Sequence, residues 1–383
     1  TNFYFNHDPA NLPDFSDDCH PVQMFHTHQN DITKHSLVSK QLLQTVRDLG
    51  LNVDADSIDL ITIATAVTAA DTFELRDNAE NAWARKMHLH VPVTDEDMWN
   101  FVEPELSSLL NFLTGDQWLF TFEKTTMPMP TPKTSEQAKA KAKSLIGLNS
   151  VCLFSGGLDS AVGAIDILNG ESDLKPLLVS HAYRGDGAKQ EDIKQLLSPP
   201  FGELSYSMSP HIIKHLEGKT DISMRGRSFN FLAMAVLGIS ALRNANCDSS
   251  IETIVVPENG YISINPPLTR RRIGSHWHRE HKQCGHCVPC LIRRASVFHA
   301  GFTQDAPYKT KRLRDLIKEK DTRDDLQAVQ TAIIRLKQSD NYRSWLRSSG
   351  PIPQEKDIRE KLESTIKRGL AEVELFLQAD KSS

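Results

Sequence analysis

The stretch Val151-Cys152-Leu153-Phe154-Ser155-Gly156-Gly157-Leu158-Asp159-Ser160 decides how the chain reads. Its four apolar residues read as a short buried strand, and the helical run Ala161–Leu168, closed by Asn169-Gly170, follows at once. Two glycines permit a tight turn and let main-chain N–H groups approach an anion closely. The helix behind them presents unpaired N–H groups and the positive end of its dipole to the same point. Ser155 and Ser160 add hydroxyl donors, and Asp159 holds a metal or organises the loop. A turn that needs glycine for steric reasons alone is the plainer alternative. The six-residue string between a strand and a helix favours a site for pyrophosphate.

Outward from the loop, strands and helices alternate. Pro176–Ser180 reads as a second strand, Gln190–Leu197 as a second helix, Phe229–Leu242 as a long apolar helix and Thr253–Val256 as a further strand. Such alternation predicts an α/β fold, a doubly wound parallel sheet with helices on both faces. Residues 1–145 read as a separate accessory domain of α+β type. It opens on an irregular polar stretch, with a helix around Ser36–Leu49 and strands at Met87–Val93 and Trp118–Phe122. An amphipathic helix over Trp99–Leu113 ends at Thr114-Gly115, whereas Asp59–Val67 fits either a helix or a strand. Pro128, Pro130 and Pro132 mark a linker, followed by an Ala/Lys-rich helix. Residues 146–303 form the nucleotide domain, and 304–383 a charged helical tail with helices over Tyr308–Leu336 and Pro353–Leu377.

The 383 residues suit two or three domains, and no apolar run reaches membrane-spanning length. Thr1-Asn2-Phe3-Tyr4 shows no basic region followed by an apolar stretch, so a cytoplasmic location is expected. The net charge of −5 argues against nucleic acid as a direct substrate, since a phosphate backbone rewards a basic surface. Arg270-Arg271-Arg272 is a local basic run that reads as solvated surface, with phosphate binding by the three arginines as the alternative.

Three of the six cysteines stand in Cys284-Gly285-His286-Cys287-Val288-Pro289-Cys290. Two successive C-x-x-C steps let several thiolates converge on one Zn2+, a better reading than a disulfide framework, small buried apolar residues or a redox pair. The fourth ligand of a tetrahedral site falls to His276 or His278, with His281 a further candidate and His286 awkwardly placed inside the cluster. Trp99, Trp118 and Phe120 fit either a partner surface or core.

The loop Ser155–Ser160 resembles the PP-loop of the N-type ATP pyrophosphatases, which adenylate a substrate and release pyrophosphate. It lacks the Gly-Lys-Ser/Thr ending of a Walker A loop. Together with the cysteine string and the Leu291-Ile292-Arg293-Arg294 that follows it, the chain is similar to the QueC family, the 7-cyano-7-deazaguanine synthases. Arg225-Gly226-Arg227-Ser228-Phe229-Asn230 is similar to that family's Pro-Gly-Arg-Asn segment, and Pro257-Glu258-Asn259-Gly260-Tyr261 stands where a substrate-side loop does. The resemblance spans roughly residues 150–303. It implies ATP and Mg2+ held by Ser155, Gly156, Gly157, Leu158, Asp159, Ser160, Ser180, Arg225, Arg227, Asn230, Glu258 and Asn259. Catalytic roles are implied for Ser155, Asp159, Ser160 and Arg227, and a 7-deazaguanine carboxylate for the substrate.

Residues 1–145, the longer tail and the short interval from Asn265-Pro266-Pro267 to Cys284 depart from the biosynthetic enzymes. Arg76-Asp77-Asn78-Ala79-Glu80 and Phe112-Leu113-Thr114-Gly115-Asp116-Gln117-Trp118 look like the QueC-like components of anti-phage operons, the Qat system above all. That resemblance implies a protein partner from the same operon, with a protein amine as acceptor in place of ammonia. A queuosine-pathway synthase, a PP-loop enzyme acting on another substrate, and a nucleotide-binding subunit without turnover are the alternatives.

Overall fold

The alternation in Asn2-Phe3-Tyr4-Phe5-Asn6 makes β1 (Asn2–Asn6), with both phenylalanines buried, where the polar composition of the opening suggested irregular chain. The computed structural model describes residues 1–25, 34–39, 42–79, 84–169, 173–181, 186–201, 205–208, 212–214, 216–221, 226–258, 283–305, 307–313, 324–338, 342–347 and 355–382. Two compact units, Thr1–Pro257 and Glu258–Ser383, divide the chain. The expected boundary near residue 145 lies inside the first unit, and the one near 303 inside the second.

The first unit contains two sheets. β1, β2 (Cys19–Met24), β3 (Ser36–Val38), β4 (Lys86–Val93), β5 (Gln117–Lys124) and β9 (Ile212–Lys214) form one of them, in the order β5-β4-β1-β2-β3-β9. All its pairs are parallel except β3 with β9, so this region is α/β and not the α+β expected. Ser36–Val38, read as the start of a helix, pairs instead with β2; the helix that follows, α1, covers only Leu42–Arg47. The proline linker is strapped down, since Lys133 donates its N–H to the Arg47 carbonyl (2.9 Å) and pairs with Asp48 (2.6 Å), and it leads into the expected Ala/Lys-rich helix, α4 (Glu136–Ser144).

α2 (Ala55–Phe73) settles the ambiguous apolar run as a helix. It is buried nearly all round, Asp59, Thr62, Thr65, Thr68 and Asp71 included, as a helix enclosed on every side is. Thr62, Thr68 and Thr72 satisfy their hydroxyls on the carbonyls four residues back. α2 lies between the first sheet and α7 (Arg227–Asn246), and α7 in turn packs on the second sheet. Both sheets therefore share one hydrophobic core, running from Phe3 and Leu89 through Ile63 and Val67 to Leu237 and Val179.

Buried Asp59 in α2 anchors α3 (Glu96–Thr114). Its carboxylate accepts from Thr94 N–H (2.8 Å), Thr94 Oγ1 (2.7 Å), Asp95 N–H (3.3 Å) and the Trp99 indole (3.0 Å). Asp59→Ala strands these donors in the core, and a loss of about 2–4 kcal/mol is expected. Urea unfolding measures it; an unmoved midpoint would show that α3 is held by packing alone.

The second sheet joins β6 (Ser150–Leu153), β7 (Pro176–His181), β8 (Ser205–Met208) and β10 (Thr253–Val255) in the order β10-β6-β7-β8, all parallel. Val151, Leu153, Leu177 and Val179 turn toward α7. Cys152, Phe154 and Leu178 turn toward α5 (Leu158–Asn169) and α6 (Asp186–Phe201). This sheet is doubly wound, as the alternation predicted.

In the second unit, α8 (Val288–His299), α9 (Asp324–Gln338), α10 (Tyr342–Arg347) and α11 (Lys356–Ser382) close a core of Leu291, Ile333, Leu346, Ile366 and Leu370. Helix was expected from Tyr308, but residues 307–312 are not helical: Tyr308 bridges to Gln283 instead. No described helix is long and apolar enough to cross a membrane.

Candidate functional site

β6 occupies the place where the strand order turns back. The chain leaves it through α5 to β7 on one side, and returns through α7 to β10 on the other. In open parallel sheets, ligands collect beyond the carboxyl ends of the strands at such a point. The loop Phe154–Gly157 stands there. Phe154 N–H donates to the Val179 carbonyl (2.8 Å), which holds the loop to β7.

Gly156 adopts φ +74°, a left-handed conformation that favours glycine. A Cβ there would lie 2.7 Å from Gln190 Cγ and 3.1 Å from Gln190 Cα, so α6 also requires the absence of a side chain. Ser155 Oγ accepts from Gly157 N–H (3.3 Å) and lies 3.1 Å from Ser160 Oγ, which itself reaches the Gly157 carbonyl (3.0 Å). The two serines thus hold the turn together. α5 starts at Leu158, and a helix start leaves its first N–H groups without intrahelical partners. Leu158 and Asp159 are exposed at this mouth.

Arg227 begins α7 and lies over the Phe231 ring, 5.4 Å from its centroid. The His181 ring at the end of β7 meets Phe231 edge-on at 5.3 Å. The amide of Gln190 donates to the carbonyls of both His181 (3.1 Å) and Ser155 (3.2 Å). A continuous chain of contacts therefore joins the loop to the start of α7. Ser180 is buried on β7. Asn230 is 0% exposed and donates to Thr68 Oγ1 of α2, a link between helices. Glu258 is exposed in the second unit. Arg225, Asn259, His276 and His278 lie outside the described residues. Gln190 and His181 escaped the sequence reading; the one signal for His181 was its place at the carboxyl end of a parallel strand. Cys152, in β6, is no nucleophile, because burial pushes its thiol up to about 12.

The cysteines make a second centre, at the start of α8. The Sγ atoms of Cys284, Cys287 and Cys290 all lie within 4.8 Å of one another, and those of Cys284 and Cys290 are 3.7 Å apart. Zinc–sulfur bonds of ~2.3 Å at tetrahedral angles set sulfurs ~3.8 Å apart, so the cluster fits that ion. Cys287 N–H donates to Cys284 Sγ (3.4 Å), and Gly285 takes φ +87° where a Cβ would strike the Thr310 carbonyl. Thr310 N–H donates to the Cys284 carbonyl (2.9 Å), and Arg294 braces the turn through the Gly285 carbonyl (2.9 Å). Donation from Cys287 and Cys290 holds the Cys284 thiol far below its ordinary range, and the same bonds push Cys287 and Cys290 up. A dication placed among the three sulfurs would let all of them ionise. All six cysteines are free, and among the described residues no fourth His, Cys, Asp or Glu joins the cluster.

Fold and sites together define a mixed α/β protein with parallel sheets and a buried three-cysteine cluster able to bind a metal such as zinc. No family model matches the chain, and neither a curated protein nor a solved structure is similar to it.

Proposed function

We propose that this chain is a QueC-like ATP-dependent enzyme of the PP-loop class. It adenylates the carboxylate of a 7-deazaguanine and passes the acyl group to an amine, on a protein partner in anti-phage defence. The observation that carries the reading is the Ser155–Ser160 loop, with its left-handed Gly156, at the point where the order of a parallel sheet turns back. In the proposed reaction a substrate carboxylate oxygen attacks the α-phosphorus of ATP, and the bond to the β-phosphate breaks. The amine then attacks the carbonyl carbon, AMP leaves, and the nitrogen loses its proton.

The loop N–H groups, the start of α5 and the hydroxyls of Ser155 and Ser160 stabilise the charge gathering on the departing pyrophosphate. Arg227 adds a fixed positive charge at the start of α7. Asp159, exposed in the first turn of α5, is the carboxylate to hold Mg2+, which would neutralise phosphate charge when bound. Cys284, Cys287 and Cys290 would hold Zn2+, with His276 or His278 completing the set.

A protein acceptor is supported by α3, where Phe101 and Phe112 are 83% and 87% exposed. They lie eleven residues apart, about three helical turns, and so share one face. Trp99, Trp118 and Phe120 serve the core instead.

With ATP, Mg2+ and 7-carboxy-7-deazaguanine, continuous pyrophosphate release is expected, falling about 100-fold or more in Ser155→Ala and Asp159→Ala. An increase in the partner's intact mass would identify the protein amine, and a nitrile product would identify the queuosine-pathway chemistry. Tight ATP binding with no pyrophosphate release would leave a non-catalytic subunit, and equal release by the variants would overturn the assigned site.

A further inference from the structure

We propose that Gln190 is a positioning residue for the phosphate loop, a buried clamp that fixes which way the loop's N–H groups point. The inference rests on the nucleotide reading above and assigns one more residue to that site.

Gln190 lies in the first half of α6 and is 4% exposed. Its Nε2 donates to the Ser155 carbonyl (3.2 Å) at the end of β6 and to the His181 carbonyl (3.1 Å) at the end of β7. Two carbonyl acceptors fix the amide's orientation, because only the NH2 end can serve both. The Oε1 is consequently buried with no hydrogen-bond partner among the described residues. A buried acceptor without a donor is costly, so this side chain is better explained by what its other end does.

That other end acts on the loop. A peptide whose carbonyl is pinned inward cannot rotate, so its neighbouring N–H stays turned the opposite way. Ser155 contributes the carbonyl to the peptide whose N–H belongs to Gly156. The clamp therefore holds the Gly156 N–H away from α6, as anion binding by a glycine turn requires. Close packing of the Gln190 backbone on Gly156 prevents the glycine from relaxing toward α6. Fixing the His181 carbonyl at the same time keeps the ends of β6 and β7 in step, and with them the Phe231–Arg227 contact.

Gln190→Met keeps the length and burial but removes the donors, and Gln190→Glu replaces them with an acid. Hydrogen exchange of the peptide covering residues 154–160, ATP affinity and melting temperature are measured on the full chain. Gln190→Met should exchange faster in that peptide and bind ATP about ten- to thirty-fold more weakly, with little change in melting temperature. Gln190→Glu should regain ATP affinity as the pH falls, relative to wild type at each pH, because the protonated acid supplies one donor again. A merely structural role predicts a lower melting temperature with unchanged exchange and affinity in the folded protein, and that result overturns the clamp. If wild type binds no ATP while Gln190→Met still loosens the loop, the clamp stands and the nucleotide reading falls. If wild type binds ATP and Gln190→Met matches it in both measurements, the clamp falls and the nucleotide reading stands.

Discussion

Arg85→Ala is expected to lower stability by about 3–5 kcal/mol, because it leaves buried carboxylates without their counter-charge. The guanidinium is almost fully buried ahead of β4. It pairs with Asp71, reaches Asp116 Oδ2 (2.6 Å) and donates to the carbonyls of Asp71 (2.8 Å) and Glu74 (2.7 Å). Arg76 grips the same Asp116 with two bonds, at 2.8 and 2.7 Å, but cannot replace the donors on the far side. Arg85→Lys should fail nearly as badly, since an ammonium lacks the planar fork that serves four groups together. Urea unfolding reads the loss; a change under about 1 kcal/mol would mean the cluster repacks or fills with water.

The cluster also sets an acid limit. Burial raises the Asp116 pKa, but hydrogen bonds from Arg85 and Arg76 outweigh it and hold the carboxyl below the usual range. Its stabilisation is therefore full above its unfolded value of about 4 and is lost as the pH falls through the folded value. Arg85→Ala should flatten that acid limb. The damage would not stay within the first sheet. Arg76 N–H donates to Asp221 (3.1 Å), and Asp221 N–H to the Thr72 carbonyl (2.7 Å), in the segment that leads to α7 and Arg227.

Cys287→Ser is expected to take bound zinc from about one ion per chain to none, measured by elemental analysis of the purified protein. Cys287 is also the residue that caps α8, whose Leu291 and Ile292 enter the core of the second unit. Losing the ion should therefore loosen α8, visible as faster hydrogen exchange across residues 288–299, and a strong chelator should reproduce the effect on wild type. Wild-type protein that carries no metal, with α8 equally protected in the variant, would reduce the cluster to three packed thiols.

Much of this molecule was legible in residue order. The strand–Gly-Gly–helix junction at Leu153–Leu158 is a local feature, and the chemistry of glycine and of a helix start fixes it within ten residues. The C-x-x-C spacing likewise brings Cys284, Cys287 and Cys290 together through one turn and one helix start, which Thr310 then braces. β4, β5 and α3 could be read because each carries its own period of burial, and α7 because its apolar run is too long for a strand. β1 and β2 were harder: the alternation of β1 spans only five residues within a polar opening, and β2 buries His20 and Gln23 beside its apolar residues, with Ser36 and the His7 carbonyl as partners that only the fold supplies. Ser36–Val38 looked helical because a three-residue strand has no period of its own, and its partner β2 decided its state.

Sequence alone determined the glycine turn between β6 and α5, the cysteine cluster and the alternation that makes a parallel sheet, because each depends on neighbours a few residues apart. Tertiary structure alone decided the rest. It joined two sheets through α2 and α7 into one core, gathered Asp71, Arg76, Arg85, Asp116 and Asp221 into one charge cluster, and set Gln190 against the loop. Among those contacts, Ser155 and Gln190 stand 35 positions apart, Arg76 and Asp116 40, and Thr68 of α2 and Asn230 of α7 162. Burial and charge pairing reward such contacts only after the chain has folded, so no local pattern announces them.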